Sequence, residues 1–335
     1  MSKRALGIVA LLLLVLLGFS ALLNIGLMVT APFRGMASDR APGNFREVEL
    51  YDGDVETKIV HIDLEGMITS LGGNAFIGSS VSSTKRMLEA AMADPAVKAI
   101  VLRINSPGGE VTASDVLYNA VRKTAARKPV VVYMDSMAAS GGYYIACGGS
   151  HIMANETTIT GSIGVIIQTL NYKELLGKVG LDSVVFKSGK FKDMLSPSRD
   201  MRPEEQAYVQ KMVDEMYSRF VGIVAEARQI PVETLKNGIA DGRVLTGQSA
   251  LAENLVDATG YIEAAYSKAR ELGKAPSARI VRYGNEVSLG SLLGFLGKAS
   301  ASHGDVQRVR LELGEQLFPK LQPGAIYLLP AHFAL

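Results

Sequence analysis

The sequence predicts an α/β protein built on a largely parallel sheet and led by one transmembrane helix. Three observations carry this. Apolar, strand-like runs alternate with amphipathic segments from residue 58 onward, the order expected of parallel strands joined by crossover helices. Residues 5–31 carry no charge and are long enough to cross a ~30 Å hydrocarbon core at ~1.5 Å per residue. With 335 residues, 48% of them hydrophobic and 20% charged, the chain can bury a sizeable core, as one large domain or two small ones.

Residues 1–4 form a short tail bearing Lys3 and Arg4. The stretch 5-ALGIVALLLLVLLGFSALLNIGLMVTAPF-33 then stays uncharged until Arg34. A cleaved signal peptide has an apolar region of only ~7–15 residues closed by a small-x-small site. This stretch is longer and lacks a clear site, so 5–31 reads as a retained anchor. Lys3 and Arg4 before it, against Arg34, Arg40 and Arg46 after it, leave the charge rule undecided. The short leading tail favours the domain lying outside. Residues 32–55, with Pro32, Gly35, Pro42 and Gly43, read as a tether.

The domain spans residues 56–274 and opens with the strand 58-KIVHIDLEG-66 and a Ser/Gly-rich loop at 70–83. A helix over 84-TKRMLEAAMADPAVKA-99 stops at Asp94-Pro95. Next come the strand 98-KAIVLRIN-105, a Ser-Pro-Gly-Gly turn, the helix 112–128, the strand 129-PVVVYMD-135 and a helix over 137-MAASGGYYIAC-147. Short strands are expected at 151–154, 163–168 and 183–187. The longest helix, 204–228, follows Pro203, a favourable first-turn residue, and helices near 246–254 and 259–273 close the domain. Residues 275–335 are less regular. The apolar end 325-AIYLLPAHFAL-335 reads as a packed terminal segment or a subunit contact, with a self-bound peptide that regulates access as the alternative.

A net charge of +2 offers no basic surplus for nucleic acid. The single cysteine, Cys147, excludes an internal disulfide framework and a cysteine-based zinc cluster, and reads as a small buried apolar residue. No motif calls for a metal or an organic cofactor.

The chemistry centres on Ser140, set among alanines and glycines in 134-MDSMAASGGYYIACGG-149. Either Ser140 fills a tightly packed helix or something must approach its hydroxyl closely. A serine hydroxyl needs a base to take its proton. The four histidines are poorly placed: His61 within a strand, His151 opening one, His303 and His332 in the irregular C-terminal part. Lysine is the other base, provided an apolar pocket lowers such an amine from a pKa of about 10.4 toward neutrality. The stretch 184-VVFKSGKFKDMLSPSRD-200 offers Lys187, Lys190 and Lys192, all of which could simply solvate a turn. Lys192 stands out between Phe191 and the pair Met194-Leu195. In 104-INSPGGEV-111 the two glycines can leave backbone N–H groups free for an oxyanion, although on its own this motif reads first as a plain Ser-Pro-Gly-Gly turn. In 158-TITGSIGV-165 the hydroxyls of Thr160 and Ser162 could hold a lysine ammonium.

Taken in order, Asn-Ser-Pro-Gly-Gly, Met-Ala-Ala-Ser-Gly-Gly-Tyr-Tyr, Thr-Gly-Ser-Ile-Gly-Val and Ser-Gly-x-x-Lys-Asp resemble the short bacterial signal peptide peptidases of the SppA type. The likeness runs from about residue 58 to about 270 and includes 240-ADGRVLTG-247. It implies a ClpP/crotonase-like fold of repeated β-β-α units and a serine-lysine dyad. By that resemblance Ser140 is the nucleophile, Lys192 the general base and acid, and Ser162 the hydroxyl that orients the lysine. Gly109, or its neighbour Gly108, and Gly141 would supply the oxyanion N–H donors. The resemblance further implies cleaved signal peptides and other apolar peptides as substrates, a homo-oligomeric ring, and a bacterial inner membrane with the domain on its outer or periplasmic side. Lipid contact falls to residues 5–31. Three other readings remain: a related Ser/Lys protease acting on membrane proteins, a crotonase-fold acyl-CoA enzyme, and an inert tethered scaffold.

Overall fold

A computed structural model describes residues 45–70 and 80–284, together with Leu17, Ser20, Arg40–Ala41 and Tyr327–Leu328. The chain divides into compact units of residues 1–40 and 41–335, and the fold below is that of the second. No helix among the described residues is long and apolar enough to cross a membrane. The anchor expected at 5–31 lies outside them, Leu17 and Ser20 apart.

The chain enters through strands β1 (Phe45–Tyr51) and β2 (Asp54–Glu65), then helix α1 (Ser80–Ala93) and strand β3 (Val97–Ser106). A two-residue strand β4 (Gly109–Glu110) leads into α2 (Val111–Ala125), followed by β5 (Val130–Ala139) and the short helix α3 (Gly141–Ala146). Strands β6 (His151–Ala154) and β7 (Ile159–Gly161) precede the long helix α4 (Pro203–Arg228). The domain closes with β8 (Val244–Thr246), β9 (Ala258–Thr259), α5 (Ile262–Leu272) and β10 (Ala278–Gly284).

The sheet runs β1-β10-β2-β3-β5-β6-β9, and from β10 to β9 every neighbouring pair is parallel. Parallel strands are buried on both faces, which is why 98–105 and 129–135 read as nearly unbroken apolar runs. In register, Ile62, Leu102, Val132 and Ile152 form one row across β2, β3, β5 and β6, all buried. That face packs against α1, α2, α3 and α4 through Leu88, Leu117, Tyr144 and Phe220. The alternate residues, among them Val101, Val131 and Tyr133, face α5 through Ala265, Tyr266 and Ala269.

Several expectations change. Residues 45–55, read as tether, contain β1 and the start of β2. Residues 278–284, read as part of a less regular extension, insert as β10 between β1 and β2. Both are strands whose partners lie far away in sequence, so no local pattern announces the pairing. Residues 137–139 continue β5 instead of beginning a helix, because β7 pairs with Met137–Ala139. Neither 163–168 nor 183–187 forms a strand. In the second of these, Val184, Val185 and Phe186 are exposed, Phe186 at 96%, so the apolar composition that signals a buried strand has no cover among the described residues.

Candidate active site

Between the register pairs Ile104↔Met134 and Ser106↔Ala138, β5 runs two residues further than β3. This irregularity brings the end of β5 beside the turn that follows β3. Ser140 lies just past that end, at the N-cap of α3, with φ 52° and ψ −111°. A positive φ strains any residue with a Cβ, and such strain collects where the surrounding structure imposes it. Here the Ser140 N–H donates to Gly161 O (2.8 Å) and its carbonyl accepts from Tyr144 N–H (2.9 Å). Tyr144 Oη donates to Asp115 (2.7 Å), and Tyr143 Oη to Leu255 O (2.8 Å). The two tyrosines after the serine are thus buried anchors for the helix that carries it.

Ser140 is fully buried, and its hydroxyl has no hydrogen-bond partner among the described residues. Buried polar atoms are ordinarily paired, so an orphan hydroxyl in a strained turn needs an explanation beyond packing. The small residues beside it have a packing reason as well. A methyl group at Gly141 would come 2.5 Å from Ser114 Oγ and 3.2 Å from Gly109 N. Only glycine lets α3 sit this close to the turn after β3.

That turn is clamped from several sides. Gly108 has φ 107°, which glycine adopts without strain. Ile68 N–H donates to Gly108 O, and Glu110 N–H donates to Ile68 O, both at 2.8 Å. Ser114 Oγ donates to Glu110 O (2.9 Å), while the Glu110 carboxylate accepts from Thr69 Oγ1 (2.7 Å) and Ser70 N–H (3.1 Å). The strand β11 (Tyr327–Leu328) pairs antiparallel with β4, Tyr327 opposite Glu110 and Leu328 opposite Gly109. The rest of 325–335 lies outside the described residues, as do His303 and His332.

Ser162 follows Gly161, is 4% exposed, has φ 51°, and donates its N–H to Arg243 O (2.8 Å). Thr160 Oγ1 instead donates to Ala138 O (2.8 Å), which commits that hydroxyl to the sheet. The structure therefore brings Ser140, Gly141, Gly108, Gly109 and the Gly161–Ser162 main chain together.

The three lysines separate by their partners. Lys187 pairs with Asp193 (2.5 Å) and Lys190 with Glu204 (3.1 Å). Lys192 is exposed, and its ammonium has no partner among the described residues. Its segment is held by a charge network in which Arg199 bonds both Asp193 and the buried Glu205, and Arg202 also bonds Glu205. Hydrogen bonds from Arg199 and then Lys187 hold the Asp193 carboxyl well below the usual carboxylate range. Lys192 is thus free, and this single chain does not bury it.

Neither of the described histidines serves Ser140. His61 bonds Tyr266 Oη and Asp63, both at 2.8 Å, and His151 lies 3.6 Å from Asp257. Cys147 is buried, and burial pushes its thiol up to about 12, in line with an inert apolar filler. The sequence reading missed Ser106, Ser114 and Ile68. Ser106 lay in plain view two residues before Gly108, a spacing that permits a local side-chain turn. Ile68 and Ser114 carried no local signal.

Residues 122–275 match peptidase family S49, and residues 62–166 match the Clp protease family. A protein provisionally named signal peptide peptidase SppA in Enterococcus faecium is 37% identical over 246 residues, 72% of this chain and 71% of that one. The chain belongs to peptidase family S49. Membership makes it a serine endopeptidase with peptide substrates. Two further relatives are protease 4 of Salmonella typhi, 36% identical over 256 residues, and a provisionally named protease of Methanocaldococcus jannaschii, 42% identical over 198. The alignments span 74% and 59% of this chain, but only 41% and 63% of those relatives. The S49 match includes Ser140, Ser162 and Lys192, whereas residues 276–335 fall outside both family matches.

Proposed function

We propose that this S49 peptidase is a membrane-anchored endopeptidase that uses Ser140 and Lys192 as a dyad to degrade residual signal peptides and other apolar peptides. The observation that carries the reading is the buried Ser140 hydroxyl, without a hydrogen-bond partner among the described residues and set on a positive-φ backbone beside Gly109 and Gly141. A neutral Lys192 takes the Ser140 proton as its oxygen attacks the peptide carbonyl. Negative charge gathers on the carbonyl oxygen opposite the Gly109 and Gly141 N–H groups. Lys192 then gives the proton to the departing amine, with Ser162 Oγ orienting the ammonium, and water releases the acyl group by the same route.

The base must come out of water, and on this reading assembly brings it out. The arm from Leu170 to Lys192 exposes Leu170, Leu175, Val179, Leu181, Val184 and Phe186, a large apolar surface for a soluble chain. A homo-oligomer would cover that surface and close the site around Lys192. The anchor at 5–31 would hold the assembly on the inner membrane, facing the outer or periplasmic side, where spent apolar signal segments collect.

The test is covalent labelling of Ser140 by a small acylating inhibitor, with cleavage of a fluorogenic apolar peptide by wild type, Ser140→Ala and Lys192→Ala. Loss of labelling and cleavage in the first variant and of cleavage in the second is expected. Mixing the two inactive variants asks which copy supplies the lysine. Full activity in Lys192→Ala would end the dyad reading. Proteomic profiling that finds intact membrane proteins cut in preference to signal peptides would replace the substrate class.

A further inference from the structure

We infer that Ser106 is a positioning residue for the oxyanion turn: its hydroxyl takes up the amide of Gly108 and so leaves Gly109 as the donor. The inference rests on the reading of Ser140 as nucleophile.

Ser106 ends β3 and is fully buried. Its Oγ accepts the Gly108 N–H at 3.1 Å and lies 3.4 Å from Gly108 O, to which it can donate. One hydroxyl thereby closes a small ring around Pro107 and Gly108. The consequence reaches the next peptide. Gly108 O accepts from Ile68 N–H and Glu110 N–H donates to Ile68 O, so both groups flanking Gly109 face Ile68. In extended chain, successive residues direct their N–H groups to opposite edges. The Gly109 N–H therefore leaves by the edge away from Ile68, the edge on which β11 sets Leu328 opposite Gly109, and Gly109 N is where a methyl on Gly141 would approach to 3.2 Å.

Two neighbouring glycines could each offer an amide here, and glycine imposes no preference of its own. Without the Ser106 hydroxyl, the buried Gly108 N–H would be left unpaired. A buried unpaired amide is costly, so the peptide would turn to find another acceptor and carry Gly109 with it. The side chain of Ser106 selects which amide meets the oxyanion, although it never contacts the reacting atoms.

The experiment uses the full-length protein and the variants Ser106→Ala and Ser106→Thr. Each is assayed for kcat and KM, for inhibition by an apolar peptide aldehyde, and for inhibition by the matching peptide alcohol. The aldehyde adds to the serine and places its oxygen in the oxyanion site, whereas the alcohol only binds. Ser106→Ala should lose about tenfold or more in kcat and in aldehyde affinity, with KM and alcohol affinity within about twofold of wild type. Ser106→Thr, which keeps the hydroxyl, should recover most of the loss. Unchanged kcat and aldehyde affinity, or equal weakening of aldehyde and alcohol, would overturn the role. If the alanine variant does not fold, Ser106→Cys keeps the size, weakens the hydrogen bonds and carries the same comparison. Cleavage surviving in Ser140→Ala would instead remove the reading of the site itself, which separates the two failures.

Discussion

Alanine at Gly109 probes the proposed oxyanion turn with a displacement that the structure quantifies. The added Cβ would lie 1.9 Å from Ile68 O, and 2.6 and 2.7 Å from Ile68 C and N. Ordinary contact begins near 3.4 Å, so β4 must retreat by roughly 1.5 Å. Ile68 cannot give way freely, because its N–H and its carbonyl are both bonded across the gap, at 2.8 Å each. A donor must sit within about 2.7–3.1 Å of the oxyanion, and losing one costs roughly 10²–10³ in kcat, or about 3–4 kcal/mol. Overpacking should add about 1–3 kcal/mol of lost stability. Steady-state kinetics on a fluorogenic apolar peptide, beside thermal unfolding, separates these effects. A control is Gly222→Ala in α4, where nothing lies within 4 Å of the added carbon. There activity should hold, and stability should rise by about 0.5–1 kcal/mol. A folded Gly109→Ala enzyme within about threefold of wild-type kcat would refute the donor assignment.

Four further outcomes are expected. Lys192→Ala should lose about 10²–10⁴ in kcat while Lys187→Ala and Lys190→Ala keep most of it, since those two are already paired with Asp193 and Glu204. Wild-type activity should rise along an alkaline limb, and a profile governed by one ionisation near ~6.5 would point to imidazole instead. Cutting the chain after Gly324 removes the strand that pairs with Gly109–Glu110 and should raise kcat/KM severalfold; an unchanged rate would show that this pairing does not limit access. Burial alone would raise the Asp63 carboxyl, but hydrogen bonds from His61 and Arg103 outweigh it and bring it to about 2. Because the folded value is the lower one, its stabilisation of about 2 kcal/mol is present above about pH 4 and is lost as pH falls toward 2. Asp63→Asn should flatten that part of the pH–stability curve, measured by urea unfolding.

The parallel core was legible because burial on both faces writes itself into short apolar runs, as at 98–105 and 129–135. The helices were legible through their stops, Asp94-Pro95 for α1 and Pro203 at the start of α4. The strands β1 and β10 were not, since Val281 meets Glu49 only after more than two hundred intervening residues have folded. At 183–187 the error had another source: apolar residues were taken as buried, and Val184 is 75% exposed. The serine and the glycines were visible as a motif, but choosing between Gly108 and Gly109 needed the Ile68 and Ser106 hydrogen bonds.

The proposed nucleophile and base are prepared by opposite means. Ser140 is held in a left-handed conformation that costs on the order of 1–3 kcal/mol, and it persists because Gly161, Tyr143 and Tyr144 tie both of its ends into the core. Its geometry is complete within one folded chain. Lys192 stands on an exposed arm whose charges are satisfied around it, through Arg199, Asp193 and Glu205, while its own ammonium is left over. A general base has to be free of its proton when it acts, which asks for a site shielded from water. A chain that preorganises its hydroxyl and leaves its proposed base in solvent has therefore built half of a dyad. On this division, dilution to monomers should abolish turnover without unfolding the domain, so activity and oligomer population should fall together across the same concentration range.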